Sequence, residues 1–147
     1  MTKLLVINGP NLNMLGIREP SVYGSKTLES INRDIAKEAE RKGITVDFFQ
    51  SNSEGELIDR IHQAYGSYQG IVINPGAYSH YSIAIRDALE AVSLPTIEVH
   101  ISNIYKREQF RRHSVISEVC IGQISGLGYR GYGYALEALY EYIKGGQ

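Results

Sequence analysis

The apolar residues of this 147-residue chain follow two rhythms that alternate along it. Unbroken apolar runs, such as Leu4-Leu5-Val6-Ile7 and Gly70-Ile71-Val72-Ile73, read as strands. Between them apolar positions recur every three or four residues, which reads as helix. Lys3 to Asn8 is the first strand. Thr27 to Lys42 is the first helix, with Leu28, Ile31, Ile35 and Ala39 on one face and Gly43 as its stop. Glu38 and Lys42 are spaced to pair across one turn of that helix. Ile44 to Gln50 is the second strand. Ser53 and Glu56 have the spacing of a capping box, opening a helix that runs to about Tyr65 and turns Leu57, Ile58 and Ile61 inward. Gly70 to Asn74 is a third strand, buried on both faces. Ser82 to Val92 is a third helix. Pro95 to His100 is a fourth strand, with the proline confined to its start. Tyr105 to His113 is a short polar helix or turn, and Val119 to Ile124 is a fifth strand. Tyr134 to Ile143 closes the chain as a helix carrying Leu136, Leu139, Tyr140 and Ile143 at helical spacing.

Strands alternating with helices predict an α/β fold with a parallel sheet covered on both faces. Five strands fit a flavodoxin-like, doubly wound order. No repeat, low-complexity stretch or linker interrupts the pattern, so residues 1–147 are expected to form a single domain. Gly145-Gly146-Gln147 reads as a frayed end.

Composition narrows the partners. The formal net charge is −1, which leaves no basic footprint for nucleic acid and no polybasic signal for a membrane surface. No apolar run approaches the ~20 residues a membrane helix needs. Met1-Thr2-Lys3 leads directly into a strand without the pattern of a signal peptide, so a cytoplasmic location is expected. Cys120 is the only cysteine, which rules out an intrachain disulfide. Between Val119 and Ile121 it reads as a small buried hydrophobe.

In open α/β sheets ligands bind beyond the carboxyl ends of the strands. The unusual polar residues of this chain collect there: Asn8-Gly9-Pro10-Asn11, Gln50-Ser51-Asn52, Asn74-Pro75-Gly76, and Glu98-Val99-His100-Ile101-Ser102-Asn103. Glu98 and His100 alternate along a strand and therefore share a face. A carboxylate beside an imidazole stabilises the imidazolium, which suits a general acid; a satisfied structural histidine fits the same pattern. The stretch from Asn8 to Gly24 is long and broken by glycine and proline, as active-site lids often are. Within it Tyr23 reads as a loop anchor or as a base. A phenol titrates near ~10 and needs a close cation to act near neutrality. Arg18 is the local candidate and Arg111 a more distant one. The turn from Asn74 to His80 has backbone amides and a helix start that favour an anion. His80 is either a ligand contact or a plain helix-start residue. His62 and His113 read as surface positions.

Some absences narrow the chemistry. No glycine-rich phosphate loop follows the first strand. The third strand ends in Asn74 rather than in a phosphoacceptor aspartate. No spacing resembles a metal site, and no lysine is placed for imine chemistry. Cofactor-free chemistry is the economical expectation.

Several separate motifs, in order and over essentially the whole chain, resemble the type II 3-dehydroquinate dehydratases. They are Asn8-Gly9-Pro10-Asn11-Leu12-Asn13 with Leu15-Gly16; Arg18-Glu19-Pro20 with Tyr23-Gly24; Gln50-Ser51-Asn52 with Glu54-Gly55; Asn74-Pro75-Gly76-Ala77 with His80 and Arg86-Asp87-Ala88; Glu98-Val99-His100-Ile101-Ser102-Asn103; and Glu108, Phe110-Arg111 and Ser114. Ser79 stands where threonine is more often expected, with the hydroxyl kept. The resemblance implies anti elimination of water from 3-dehydroquinate to 3-dehydroshikimate through an enolate, without metal or imine. It implies Tyr23 as the base, Arg18 as its activator, Asn11 at the enolate, His100 as the acid and Glu98 as its orienting partner. Asn74, His80 and Arg111 would hold ring hydroxyls. The amides of Ile101 and Ser102, with the Ser102 hydroxyl, would take the carboxylate. Asp87 would reach a neighbouring subunit, because members of the family form trimers stacked into dodecamers. A silent binding protein for quinate-like carboxylates would use the same pocket, but would not need Arg18 and Tyr23 together on a lid. A flavodoxin-like redox or signalling module fits the fold and lacks the phosphate loop.

Overall fold

Four apolar residues in a row leave no face for water, so such a strand belongs inside a sheet covered on both sides. In the structure, a computed structural model that describes residues 1–17, 21 and 25–145, this is where it lies. The strand β1 (Lys3–Asn8) pairs in parallel with β2 (Thr45–Gln50) on one side and β3 (Gly70–Asn74) on the other. Strands β4 (Thr96–His100) and β5 (Gly122–Ser125) complete an all-parallel sheet of order β2-β1-β3-β4-β5. This is the doubly wound, flavodoxin-like sheet expected from the alternation.

The two-residue period of the strands divides the core in two. Leu4, Val6, Val72, Ile97 and Val99 face α1 (Leu28–Lys42) and α4 (Arg130–Ile143). Leu5, Ile7, Ile71 and Ile73 face α2 (Glu54–Ala64) and α3 (Ile83–Val92). Helix starts are capped as their sequences suggest. The side chains of Thr27, Ser53 and Ser82 each accept a backbone N–H from the first turn, and Gly43 ends α1 at φ 71°. At Ser53 the box closes through an intermediary. The Glu56 carboxylate accepts from the Ser51 hydroxyl at 2.5 Å, and Ser51 Oγ accepts the Ser53 N–H at 3.0 Å.

Three local expectations are corrected. Lys42 bonds Glu137 on α4 at 3.0 Å, and Glu38 pairs with Arg41; a carboxylate from a packed neighbour displaces the i,i+4 partner. Strand β5 begins at Gly122, after a 3₁₀ turn over Ser117–Val119, so Val119 and Cys120 belong to the connection. Helix α4 begins at Arg130 rather than Tyr134. At Gly131, in its first turn, a Cβ would lie 3.3 Å from Ile124 and 3.4 Å from Val99, so the glycine lets the helix close on the sheet. The segment 105–113 resolves into two 3₁₀ turns, the first covering Ile104–Lys106 and the second Gln109–Arg111. Among the described residues no helix is long and apolar enough to cross a membrane.

Glycine also positions the site. A Cβ at Gly9 would meet the Pro75 carbonyl oxygen at 2.5 Å, and one at Gly76, which sits at φ 60°, would lie 3.1 Å from the Pro10 oxygen. The loops after β1 and β3 therefore interlock. They do so where the strand order reverses direction, the place at which doubly wound sheets open a crevice.

Candidate active site

The crevice is a cavity of about 350 Å³. Its walls come from the loop after β1 (Asn11, Leu12, Met14, Leu15), from the turn after β3 (Asn74, Gly76, His80), and from the end of β4 (His100, Ile101, Ser102). Arg107, Glu108 and Arg111 form its rim.

Glu98 and His100 lie on the same face of β4, as alternation requires. Glu98 is fully buried and its Oε2 is bonded to Nε2 of His100. Ser114 donates to both carboxylate oxygens at 2.9 Å, and Ser117 donates to Oε1 at 2.7 Å. Burial alone would push this carboxyl up, but the hydrogen bonds and charge of His100, with those from Ser117 and Ser114, more than offset it and hold Glu98 below the usual carboxylate value. The pair is a buried carboxylate gripping one ring nitrogen, while the Nδ1 edge of the imidazole is left to the cavity. Such an arrangement can pass a proton to a bound molecule.

His80 lies across from it, its ring stacked on that of His100 at 6.5 Å between centroids. Its Nδ1 donates to the His113 carbonyl at 2.8 Å, which leaves Nε2 as an acceptor. Burial lowers the His80 pKa, and the charges of His100 and Arg111 lower it further, against the raising effect of the His113 bond. The ring is therefore neutral at pH 7 and suited to accept from a hydroxyl.

Asn74 is buried and held at both ends of its amide. Its Oδ1 accepts the Gly76 N–H at 3.1 Å and its Nδ2 donates to Tyr132 Oη at 2.9 Å. Tyr132 in turn donates to Asn8 Oδ1 at 2.5 Å. Asn11 sits in the left-handed region at φ 70°, which is uncommon for a residue with a Cβ. Its N–H is taken by Asn52 Oδ1 at 2.9 Å. Among the described residues no hydrogen bond engages the N–H of Ile101 or Ser102. These donors suit an anionic group. Arg111 Nε donates to Glu108 Oε1 at 2.9 Å, which holds the guanidinium at the rim.

Of the site residues expected from the sequence, the fold brings Asn11, Asn74, His80, His100, Ile101, Ser102 and Arg111 to one cavity, with Glu98 directly behind His100. Asp87 is exposed on α3 and does not line it. Arg18 and Tyr23, with the other residues of 18–20 and 22–24 in the expected lid, lie outside the described residues. Sequence reasoning passed over Tyr132, Ser117 and Gln123, and quoted Glu108 and Ser114 only as motif positions. Tyr132 carried a signal: it precedes Leu136 by four residues and Leu139 by seven, on the same helical stripe.

Fold and site together define an acid–base enzyme pocket at the switch point of a flavodoxin-like sheet. The family model for class II dehydroquinase matches residues 2–140, and the chain belongs to that family. A 3-dehydroquinate dehydratase of Halothermothrix orenii is 62% identical over 146 residues, covering 99% of both chains. The enzyme of the same name from Carboxydothermus hydrogenoformans is 58% identical over 142 residues, covering 97% of this chain and 92% of that one. The crystal structure of a type II dehydroquinase from Butyrivibrio crossotus superposes with a TM-score of 0.93 at 54% identity, covering 95% of this chain and 97% of that one.

Proposed function

We propose that this chain is a type II 3-dehydroquinate dehydratase of the shikimate pathway, a hydro-lyase working without a cofactor. The observation that carries the reading is the buried Glu98–His100 pair, opening on a cavity that also holds Asn11, Asn74, His80 and Arg111, in a member of the class II dehydroquinase family.

In this reading Tyr23, activated by Arg18, removes the proton alpha to the ketone. The electron pair moves onto the ketone oxygen, and Asn11 stabilises the enolate. Stabilising that developing charge is the largest part of such catalysis. As the enolate collapses, the C–O bond to the departing hydroxyl breaks and His100 Nδ1 delivers the proton that makes it water. Glu98 holds the imidazolium through Nε2. Neutral His80, with Asn74 and Arg111, takes ring hydroxyls, and the amides of Ile101 and Ser102 take the carboxylate. Imine chemistry needs a lysine, and among the described residues none lines the cavity.

We further propose that the chain acts as one domain in the cytoplasm, in trimers stacked into dodecamers. The exposure of Asp87, away from its own cavity, supports a role across a subunit boundary. Light scattering after gel filtration tests the assembly.

The chemistry is tested by the ultraviolet absorbance of the conjugated enone product when purified protein meets 3-dehydroquinate, with parallel runs in chelator and in borohydride. Absorbance that rises in both establishes a dehydratase that uses neither metal nor imine. Absorbance abolished by borohydride in the presence of substrate points to an imine. No absorbance, with quinate-like carboxylates still raising the Tm, identifies a silent binding protein.

A further inference from the structure

A fully buried carboxylate needs donors to stay ionised, and two of the residues behind Glu98 form a directed relay. Gln123 Nε2 donates to Ser117 Oγ at 2.6 Å, and Ser117 donates to Glu98 Oε1 at 2.7 Å. A hydroxyl has one hydrogen. With Gln123 occupying an acceptor site on Ser117, that hydrogen is turned toward Glu98. Register holds the relay together, because Gln123 of β5 lies directly opposite Glu98 of β4. Ser114 alone would be a weaker clamp: it shares one hydrogen between both oxygens at 2.9 Å while its Oγ accepts two backbone N–H groups.

We infer that Ser117 and Gln123 are positioning residues for the Glu98–His100 acid: Gln123 orients the Ser117 hydroxyl, Ser117 locks the rotation and ionised form of the Glu98 carboxylate, and Glu98 thereby sets the angle of the His100 ring. The inference rests on reading His100 as the proton donor. Neither residue touches the cavity, so each acts only through Glu98. Among the described residues, three titratable side chains interact electrostatically with Glu98. His100 lies on its own strand, His80 acts from across the cavity, and Cys120 from the connection before β5. Burial pushes the Cys120 thiol up to about 12, so it stays protonated throughout the working range.

The test compares kcat and KM for 3-dehydroquinate against pH in the wild type, Ser117→Ala, Ser117→Thr and Gln123→Leu. Ser117→Ala is expected to lower kcat about ten- to a hundredfold, the effect of one hydrogen bond to a charged group, with little change in KM. Its acidic limb should move to higher pH, because a carboxylate that loses a donor protonates more readily. Gln123→Leu should move both quantities in the same direction by less, and Ser117→Thr should restore them. A wild-type kcat in Ser117→Ala overturns the inference. So does a loss that threonine fails to restore and that comes with an unmoved pH limb and a lowered Tm. A second reading needs no turnover: the Glu98 carboxyl carbon is followed by NMR against pH. A midpoint raised in Ser117→Ala supports the relay and an unmoved one overturns it, even if the wild type fails to dehydrate 3-dehydroquinate and only the functional reading falls.

Discussion

The two ends of the sheet both carry polar clusters, and they are built on opposite terms. Toward the amino end, Tyr68 donates to Asp47 at 2.5 Å, Arg60 donates to Tyr68 Oη at 2.9 Å, and Lys3 lies 3.8 Å from Asp47. The Lys3 and Asp47 side chains remain 43% and 46% exposed. At the carboxyl end Asn8, Asn74, Glu98 and His100 are between 0% and 6% exposed. Water already serves the first cluster, so its protein contacts add little. The second has little water to fall back on, so apart from the His100 edge turned to the cavity its side chains are partnered within the protein, and such a network is rigid. That rigidity is what a pocket for acid–base chemistry requires, and it explains why the cavity opens at this end.

The contrast is broken most severely at His100. His100→Ala should lower kcat by about 10²- to 10⁴-fold, the usual contribution of a positioned acid, while the protein remains folded. Steady-state assays with 3-dehydroquinate, beside a melting curve, check both halves. Next comes Tyr132→Phe, which keeps the ring in the core and strips Asn8 and Asn74 of a shared partner. It should cost about 1–3 kcal/mol of stability in chemical denaturation.

Acid should dismantle the carboxyl end in two stages. The His80 pKa is lowered from 6.5, so the folded state prefers the neutral ring. The stability this adds is complete above about 6.5 and is lost as pH falls from there through the folded value. Glu98 is lowered from 4.5, so its contribution begins to be lost only below about 4.5. Denaturation midpoints against pH should show both stages, with the first absent in His80→Gln. The smallest effect belongs to the amino end: Lys3→Ala should move the Tm by about 2 °C or less. A larger loss there would erase the contrast between the two ends.

Much of the site was legible because its parts are local in the chain. Glu98 and His100 need only strand alternation to face the same way, and Asn74 to His80 need only a tight turn before a helix. Their partners were hidden because they are remote. Tyr132 meets Asn8 across 124 positions of sequence and Asn74 across 58. Ser117 and Gln123 sat in and beside a strand whose start was set three residues too early, which put Val119 and Cys120 on a ladder they do not join. Tyr132 precedes the expected helix start at Tyr134, so it fell outside the expected helix.

The period of apolar residues, the serine and threonine caps and the glycine stop determined the elements by themselves, because each acts within a turn or two of its own position. Strand alternation also determined that a carboxylate and an imidazole would point the same way. Only the tertiary structure decided what surrounds them. It placed Lys42 against Glu137 instead of Glu38, interlocked Gly9 with Pro75, and brought Ser117 and Gln123 to the back of Glu98. The reason is common to all of these. Each partner is delivered by packing, and packing is settled between elements far apart in the chain.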